Sequence, residues 1–252
     1  MATERPARHW LRLALEGVVV LVSILAAFYL EGWRDDRELD RDLRLELLNV
    51  RLELQRNRDI VTAEIAAIER VISSGTSLVS MLRASPSSDR IPVPDTIAWL
   101  GALYSPTMEL SLGAVDALIT SGRLSRIDDS ELRLGLAGLE EMFEDVAQEG
   151  IEAQRITFDQ LFPLIRGGID MALLRGLSEE ILTAGQVAGA TPQERFADRA
   201  LPSYGTVDYP NTVAIRTVHD LKLIWYISAI SELQPLIPHI DHLEALLTAA
   251  IE

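Results

Sequence analysis

The sequence has no cysteine, which excludes disulfides, thiolate metal sites, iron–sulfur clusters and covalently attached c-type haem. The compartment stays open, because oxidising and reducing environments both tolerate a cysteine-free chain. Lysine is almost missing too: among 23 basic residues only Lys222 is a lysine. A phosphate-cradling P-loop needs a Gly-Lys pair, and the one lysine sits in DLKL; GxGxxG, GxSxG and HExxH are also absent. Nucleotide-binding and common hydrolase readings fall with them. Aromatic residues make up 6% of the chain, too few for a carbohydrate-stacking platform. No alternating strand-like pattern and no fixed-period repeat is visible, so an all-α fold is expected.

What is present suits a globular protein of one or two domains: 252 residues, 48% apolar and 24% charged. The formal charge of −15 repels a phosphate backbone, so nucleic acid is not an expected partner.

Residues 17–30, GVVVLVSILAAFYL, carry no charge, and the segment from Trp10 to Trp33 spans roughly 35 Å as a helix at ~1.5 Å per residue, enough to cross a bilayer. Indole rings favour the headgroup level, so Trp10 and Trp33, with Arg12 near the first, mark the membrane interfaces of a spanning helix. The uncharged core is short, which leaves a re-entrant or interfacial segment as the alternative. After Ala26-Ala27 come Phe28, Tyr29 and Leu30, a poor cleavage site, so the segment reads as an uncleaved anchor. The expected organisation is a tail at 1–10, a transmembrane helix at 11–33 and an acidic helical bundle at 34–252. Glu16 lies about two turns inside Trp10, where it either snorkels to the headgroups or hydrogen-bonds a partner helix within the membrane.

Beyond Trp33, apolar residues recur at Leu39, Leu43, Leu47, Val50, Leu54, Val61, Ile65, Ile68 and Ile72, one helical stripe. The charges of DDRELDRDLR occupy the other faces as a solvated surface. The membrane helix is therefore predicted to continue to about Ser73, where Ser-Ser-Gly at 73–75 breaks it. PSSDRIPVPD at 86–95 reads as a loop, with Asp95 capping a short helix TIAWLGALYS. A helix over 109–121 stops at Gly122. Asp128 and Glu131 open a long stripe through Leu132, Leu136, Leu139, Phe143, Val146, Gly150, Phe158 and Leu161. Residues 183–212, rich in glycine and proline, are predicted as a long mobile or functional loop. Two C-terminal helices, 212–233 and 238–251, are split by QPLIP, and the apolar LKLIWYISAI at 221–230 is assigned to the bundle core.

The stretch EGVVVLVSILAAFYLEGW resembles the N-terminus of a bacterial family of uncharacterised single-span membrane proteins, in which an acidic residue opens an apolar run and a Trp followed by charges closes it. The stretch SPTMELSLGAVDALITSGRLSRIDDSELRLGL at 105–136 is similar to that family's middle region. The resemblance implies an anchor helix followed by an all-helical domain, and carries over no functional residue.

PHIDH is the one ligand-like cluster: His239 and His242, three apart, share a helix face and form a weak metal candidate that would need a third ligand from elsewhere. Two surface histidines at the start of a helix are the commoner arrangement, so no metal, cofactor or catalytic residue is expected. Glu140, Glu141, Glu144 and Asp145 read as solubilising residues on an outer face. The expected role is a non-enzymatic, single-pass membrane-anchored accessory subunit of a larger membrane complex (respiratory, photosynthetic or transport type), or a homo-oligomer formed through the anchor helix and the long helix beyond it. The expected site is a bacterial inner membrane, with the bundle in the periplasm because three arginines precede the span and an acidic domain follows it. The alternative is a periplasmic sensory or ligand-binding bundle that signals through a partner, since the short N-terminal tail leaves no room for an output domain.

Overall fold

The computed structural model describes residues 6–169 and 205–251, with side chains from residue 16 onward. Helix dominates the described residues, and an all-α fold is what forms. The chain divides at Asn49 into two compact units.

Helix α1 runs from Pro6 to Ala84. In the first unit, Val18, Val19, Leu21, Leu25, Phe28 and Leu30 are all exposed to half or more. An apolar surface on every side of a helix, uncovered by protein, is a surface that a hydrocarbon environment suits and water does not. Among the described residues this is the one helix long and apolar enough to cross a membrane, with a mean hydropathy of 1.6 over its most apolar window. Ser23 does not interrupt it, because its hydroxyl donates to the Val19 carbonyl one turn back.

The second unit is built on three helical stripes with heptad spacing. On α1 the stripe of buried positions includes Val50, Leu54, Asn57, Val61, Glu64, Ile68, Val71, Leu78 and Leu82. The stripe runs past Ser73-Ser74-Gly75, so the predicted break there is wrong. Gly75 is kept for close packing: a Cβ on Gly101 would come within 3.0 Å of the Gly75 Cα, and one on Gly75 within 2.8 Å of Leu223. Ser77 and Ser80 hydroxyls bond back to Ser73 and Thr76 carbonyls, so the polar run satisfies itself inside the helix.

Strands β1 (Arg90–Pro94) and β2 (Thr206–Pro210) pair antiparallel, with Ile91 opposite Tyr209 and Val93 opposite Val207. Both were expected as loop. Each is only five residues long, and β1 has two prolines and β2 one, so little alternation shows. The prolines are tolerated because each strand has a single neighbour. Inward-facing Ile91, Val93, Val207 and Tyr209 pack with Leu78, Leu82 and Trp99 into one end of the core. Arg90 fastens the pair, bonding the Asp208 carboxylate at 2.5 Å and the Gly168 carbonyl.

Helix α2 (Asp95–Ala98) passes directly into a π-helical turn, Trp99–Leu103. The N-cap position falls on Pro94 and not on the predicted Asp95, which is the first helical residue and whose carboxylate accepts only from the adjacent Thr96 amide, at 2.7 Å. Helix α3 covers Gly113–Thr120, starting later than predicted. Its first amides are met from outside: Glu53 of α1 accepts from Ala114 N at 2.9 Å and from Ser111 Oγ at 2.6 Å. The next cap is Asp129, one residue after the predicted one, whose carboxylate accepts from the Glu131 and Leu132 amides. The single long helix expected there is α4 (Ser130–Ala137), α5 (Leu139–Arg155), a π-helical stretch (Ile156–Leu161) and α6 (Phe162–Ile165). The π-helical register turns Phe158 outward, half exposed, and buries Thr157 instead.

Helix α7 (Val213–Ile251) is continuous through QPLIP, contrary to the predicted split. Pro235 and Pro238 both lie on its exposed face while Leu233, Leu236 and Ile240 are buried, so the carbonyls that lose their amide partners lie toward water. Of the predicted loop, residues 183–204 lie outside the described residues; the remainder is β2 and the approach to α7.

Candidate functional site

Three helices place polar or missing side chains where their stripes demand apolar ones. On α1 these are Asn57 and Glu64, 0% and 4% exposed. On α5 the sequence Leu139, Phe143, Val146, Gly150, Ala153 puts a glycine in core phase, and Thr157 follows in the π-helical stretch. On α7 the series Ile215, His219, Lys222, Tyr226, Ala229, Leu233 has three polar members in a row.

Most of these groups are satisfied internally. The Asn57 amide donates to Ser111 O at 2.6 Å, and its carbonyl accepts from Ser111 N at 3.0 Å, pinning the extended segment before α3. Lys222, the lone lysine, donates to the carbonyls of Ala102 at 2.9 Å, Tyr104 at 3.1 Å and Gly101 at 3.4 Å. Those carbonyls end the Asp95–Leu103 helical segment and would otherwise be orphaned, and a cation is favoured at that end of the dipole. Burial pulls its ammonium down to about 7. Tyr209 Oη and His219 Nε2 share a bond of 2.9 Å, and burial, helped by the Lys222 charge, lowers the imidazole to about 3. Tyr226 Oη and Ser105 Oγ are 2.8 Å apart, and Ser105 donates to Thr157 Oγ1 at 3.1 Å.

Glu64 is different. Its Oε2 is buried with no hydrogen-bond partner. Burial raises the carboxyl from 4.5 to about 7. It lines a partly open cavity of about 90 Å³. Ile68 of α1, Pro106 and Met108 of the extended segment, Val146 and Ile151 of α5, and Leu233 of α7 form apolar walls, and Thr107 and Gln154 add polar groups. The cavity owes its existence to two small residues in core phase: Gly150, where a Cβ would meet nothing within 4 Å, and Ala229. One carboxylate among apolar walls suits a compact ligand with one polar end; it does not suit a hard metal ion, which takes six or so oxygen ligands.

None of the candidate site residues expected from sequence lines this cavity; Ile68, Val146 and Gly150, which do, were read only as members of the apolar stripes. Trp33 is half exposed, with the Arg37 guanidinium 3.8 Å over its ring. Glu16 lies on an exposed helix surface. Trp10 and Arg12 lie within α1, but their side chains fall outside the described residues. His239 and His242 are not brought to a common ligand set: His242 Nε2 lies 2.9 Å from Glu131 Oε1, while His239 Nε2 is buried. Among the described residues no three His, Asp or Glu side chains converge to hold a metal. Glu140, Glu141, Glu144 and Asp145 are exposed, as expected.

Glu64 was missed because the stripe was traced through apolar residues alone. The signal was available: Leu54 to Val61 is a step of seven with Asn57 in the gap, and Glu64 falls three residues after Val61 and four before Ile68. LKLIWYISAI was misassigned for the same reason. Its buried face is Lys222, Tyr226 and Ala229, while Ile224 and Ile227 are 61% and 57% exposed.

Comparison of the chain with protein-family models, with curated proteins and with solved structures finds no match.

Proposed function

We propose that the chain is a non-enzymatic, single-pass membrane-anchored helical subunit that docks on a larger membrane protein complex of respiratory, photosynthetic or transport type. The observation that carries the reading is the apolar band from Val18 to Leu30, exposed along α1 and uncovered by protein. Exposed Ile224 and Ile227 on α7 add an apolar surface of the kind that partners cover. The resemblance at residues 16–33 and 105–136 to single-span bacterial proteins supports the same architecture, an anchor helix, here read as lying in a bacterial inner membrane, followed by a helical domain. Arginines ahead of the span and the acidic domain after it favour the N-terminus inside and the bundle in the periplasm.

Native membranes solubilised in mild detergent test the docking. Co-migration with a complex well above monomer and dimer size is expected, and migration alone at monomer or homodimer size overturns it. Protease added to spheroplasts tests orientation: a periplasmic bundle is digested at once, and one that survives until the inner membrane is opened is cytoplasmic.

A second reading, a ligand-binding bundle that signals through a partner, is favoured by the cavity at Glu64. A buried, unpartnered carboxylate at the wall of an open space is costly to stability, and such costs are characteristic of binding sites.

A further inference from the structure

The three core stripes of the bundle place Glu64 of α1 across a cavity from Gly150 of α5 and Ala229 of α7. Elsewhere on these stripes a polar residue has partners: Asn57 has Ser111, His219 has Tyr209, Lys222 has three carbonyls, and Tyr226 has Ser105. Glu64 has a buried oxygen with none, at 4% exposure.

From this geometry we propose that the cavity binds a compact organic ammonium with an apolar body, and that Glu64 is its counter-ion. The proposal rests on the ligand-binding reading and adds the chemical class.

The fit has three parts. The volume of about 90 Å³ is several times the roughly 10–15 Å³ a single water needs, and admits a molecule of a few heavy atoms. Its walls of Ile68, Val146 and Leu233 suit an alkyl body but offer water few bonds. Among the described residues the one charge at the wall is a carboxylate, so the complementary polar end is a cation that donates hydrogen bonds.

The groups around Glu64 keep the site selective for positive charge. From the extended segment it faces Tyr104 and from α7 Tyr226, whose hydroxyls burial and the Glu64 charge hold well above their ordinary range, so both stay neutral. Arg70, one helical stretch along α1, acts on Tyr104. From α5 the polar lining residue is Gln154, and the nearby Glu149 is perturbed by burial, Glu232 and Glu152. An ionised Glu64 is thus the charge a ligand entering the cavity meets. With its carboxyl raised to about 7, ammonium binding tightens as pH rises from 6 to 8 and draws the proton off.

Isothermal titration calorimetry on the full chain in lipid nanodiscs, with empty nanodiscs as reference, tests this using n-butylammonium, n-butanol and butyrate. The expected result is saturable n-butylammonium binding with a Kd of about 1 mM or tighter. Binding is stronger at pH 8 than at pH 6, and butyrate does not bind. Glu64→Gln, which keeps the side-chain shape, weakens binding by about 10- to 100-fold. Gly150→Leu, which fills the space, abolishes it while leaving Glu64 in place. Absence of saturable n-butylammonium binding, or binding indifferent to Glu64→Gln, overturns the proposal. If n-butanol binds, is blocked by Gly150→Leu and ignores Glu64→Gln, the ammonium class is wrong while the ligand-binding reading survives.

Discussion

Replacing Glu64 by glutamine should stabilise the protein, and only above a defined pH. The carboxyl is buried without a hydrogen bond to one of its oxygens and titrates at about 7 in the folded state, against 4.5 in the unfolded chain. Between those values the folded state holds a proton that the unfolded state has released. Stability from this group is therefore fully present below pH 4.5 and is lost as pH rises through 7. At roughly 1.4 kcal/mol per pH unit the loss is about 3 kcal/mol. Glutamine preserves the volume and the polarity but does not titrate, so Glu64→Gln and the wild type differ little near pH 4 and by about 3 kcal/mol above pH 8. His219 and Lys222 titrate in both proteins and cancel in the difference. Urea unfolding of the full chain in detergent, followed by the fluorescence of buried Trp99, reads this directly. With a slope of about 2 kcal/mol per molar urea, the midpoint of the variant moves up by about 1.5 M at pH 8. A difference that does not change with pH, or a variant less stable than the wild type at pH 8, refutes the assignment of Glu64 as an uncompensated buried acid.

The same unfolding assay checks three further substitutions. Asn57→Ala removes both bonds to Ser111 and leaves its amide unmet, which should cost about 2 kcal/mol at any pH from 5 to 9. Gly101→Ala sets a Cβ 3.0 Å from Gly75 backbone that cannot step aside and should cost about 1–3 kcal/mol, whereas Gly150→Ala points into open space and should gain about 0.5–1 kcal/mol. Equal effects at the two glycines would mean that the packing described for Gly75 and Gly101 is wrong. Tyr209→Phe strips His219 of its hydroxyl partner and should cost about 1–3 kcal/mol; in the wild type, nitrogen NMR should find the His219 ring neutral down to about pH 4, and a ring charged at pH 6 contradicts its burial.

Much of this architecture is written in local sequence. The uncharged run at 17–30 and the recurring Val50, Leu54, Val61 and Ile68 specify helix through hydrogen bonds four residues apart and side chains that return to one face every turn or two. The Asp129 cap, predicted one residue early, is equally local. Where local punctuation misled, packing had overruled it. Ser73-Ser74-Gly75 and QPLIP both read as breaks. The first is held helical because Gly75 meets Gly101 backbone, and the second because both prolines fall on the solvent face. The strand pair was invisible because its partners lie more than a hundred residues apart, and neither strand is informative without the other.

What the sequence by itself determined is the phase of each stripe, since periodicity depends only on the geometry of one helix. Whether a polar residue in that phase finds a partner is a property of the neighbouring helices. Asn57 and Glu64 occupy equivalent positions seven residues apart on α1, and each would be costly to bury alone. The fold brings Ser111 to the first, and to the second it brings Gly150 and Ala229, which have too little side chain to fill the space. Burial and charge near Glu64 are set by atoms from four separate segments, and so only the tertiary structure decides that this glutamate keeps a buried oxygen without a hydrogen-bond partner.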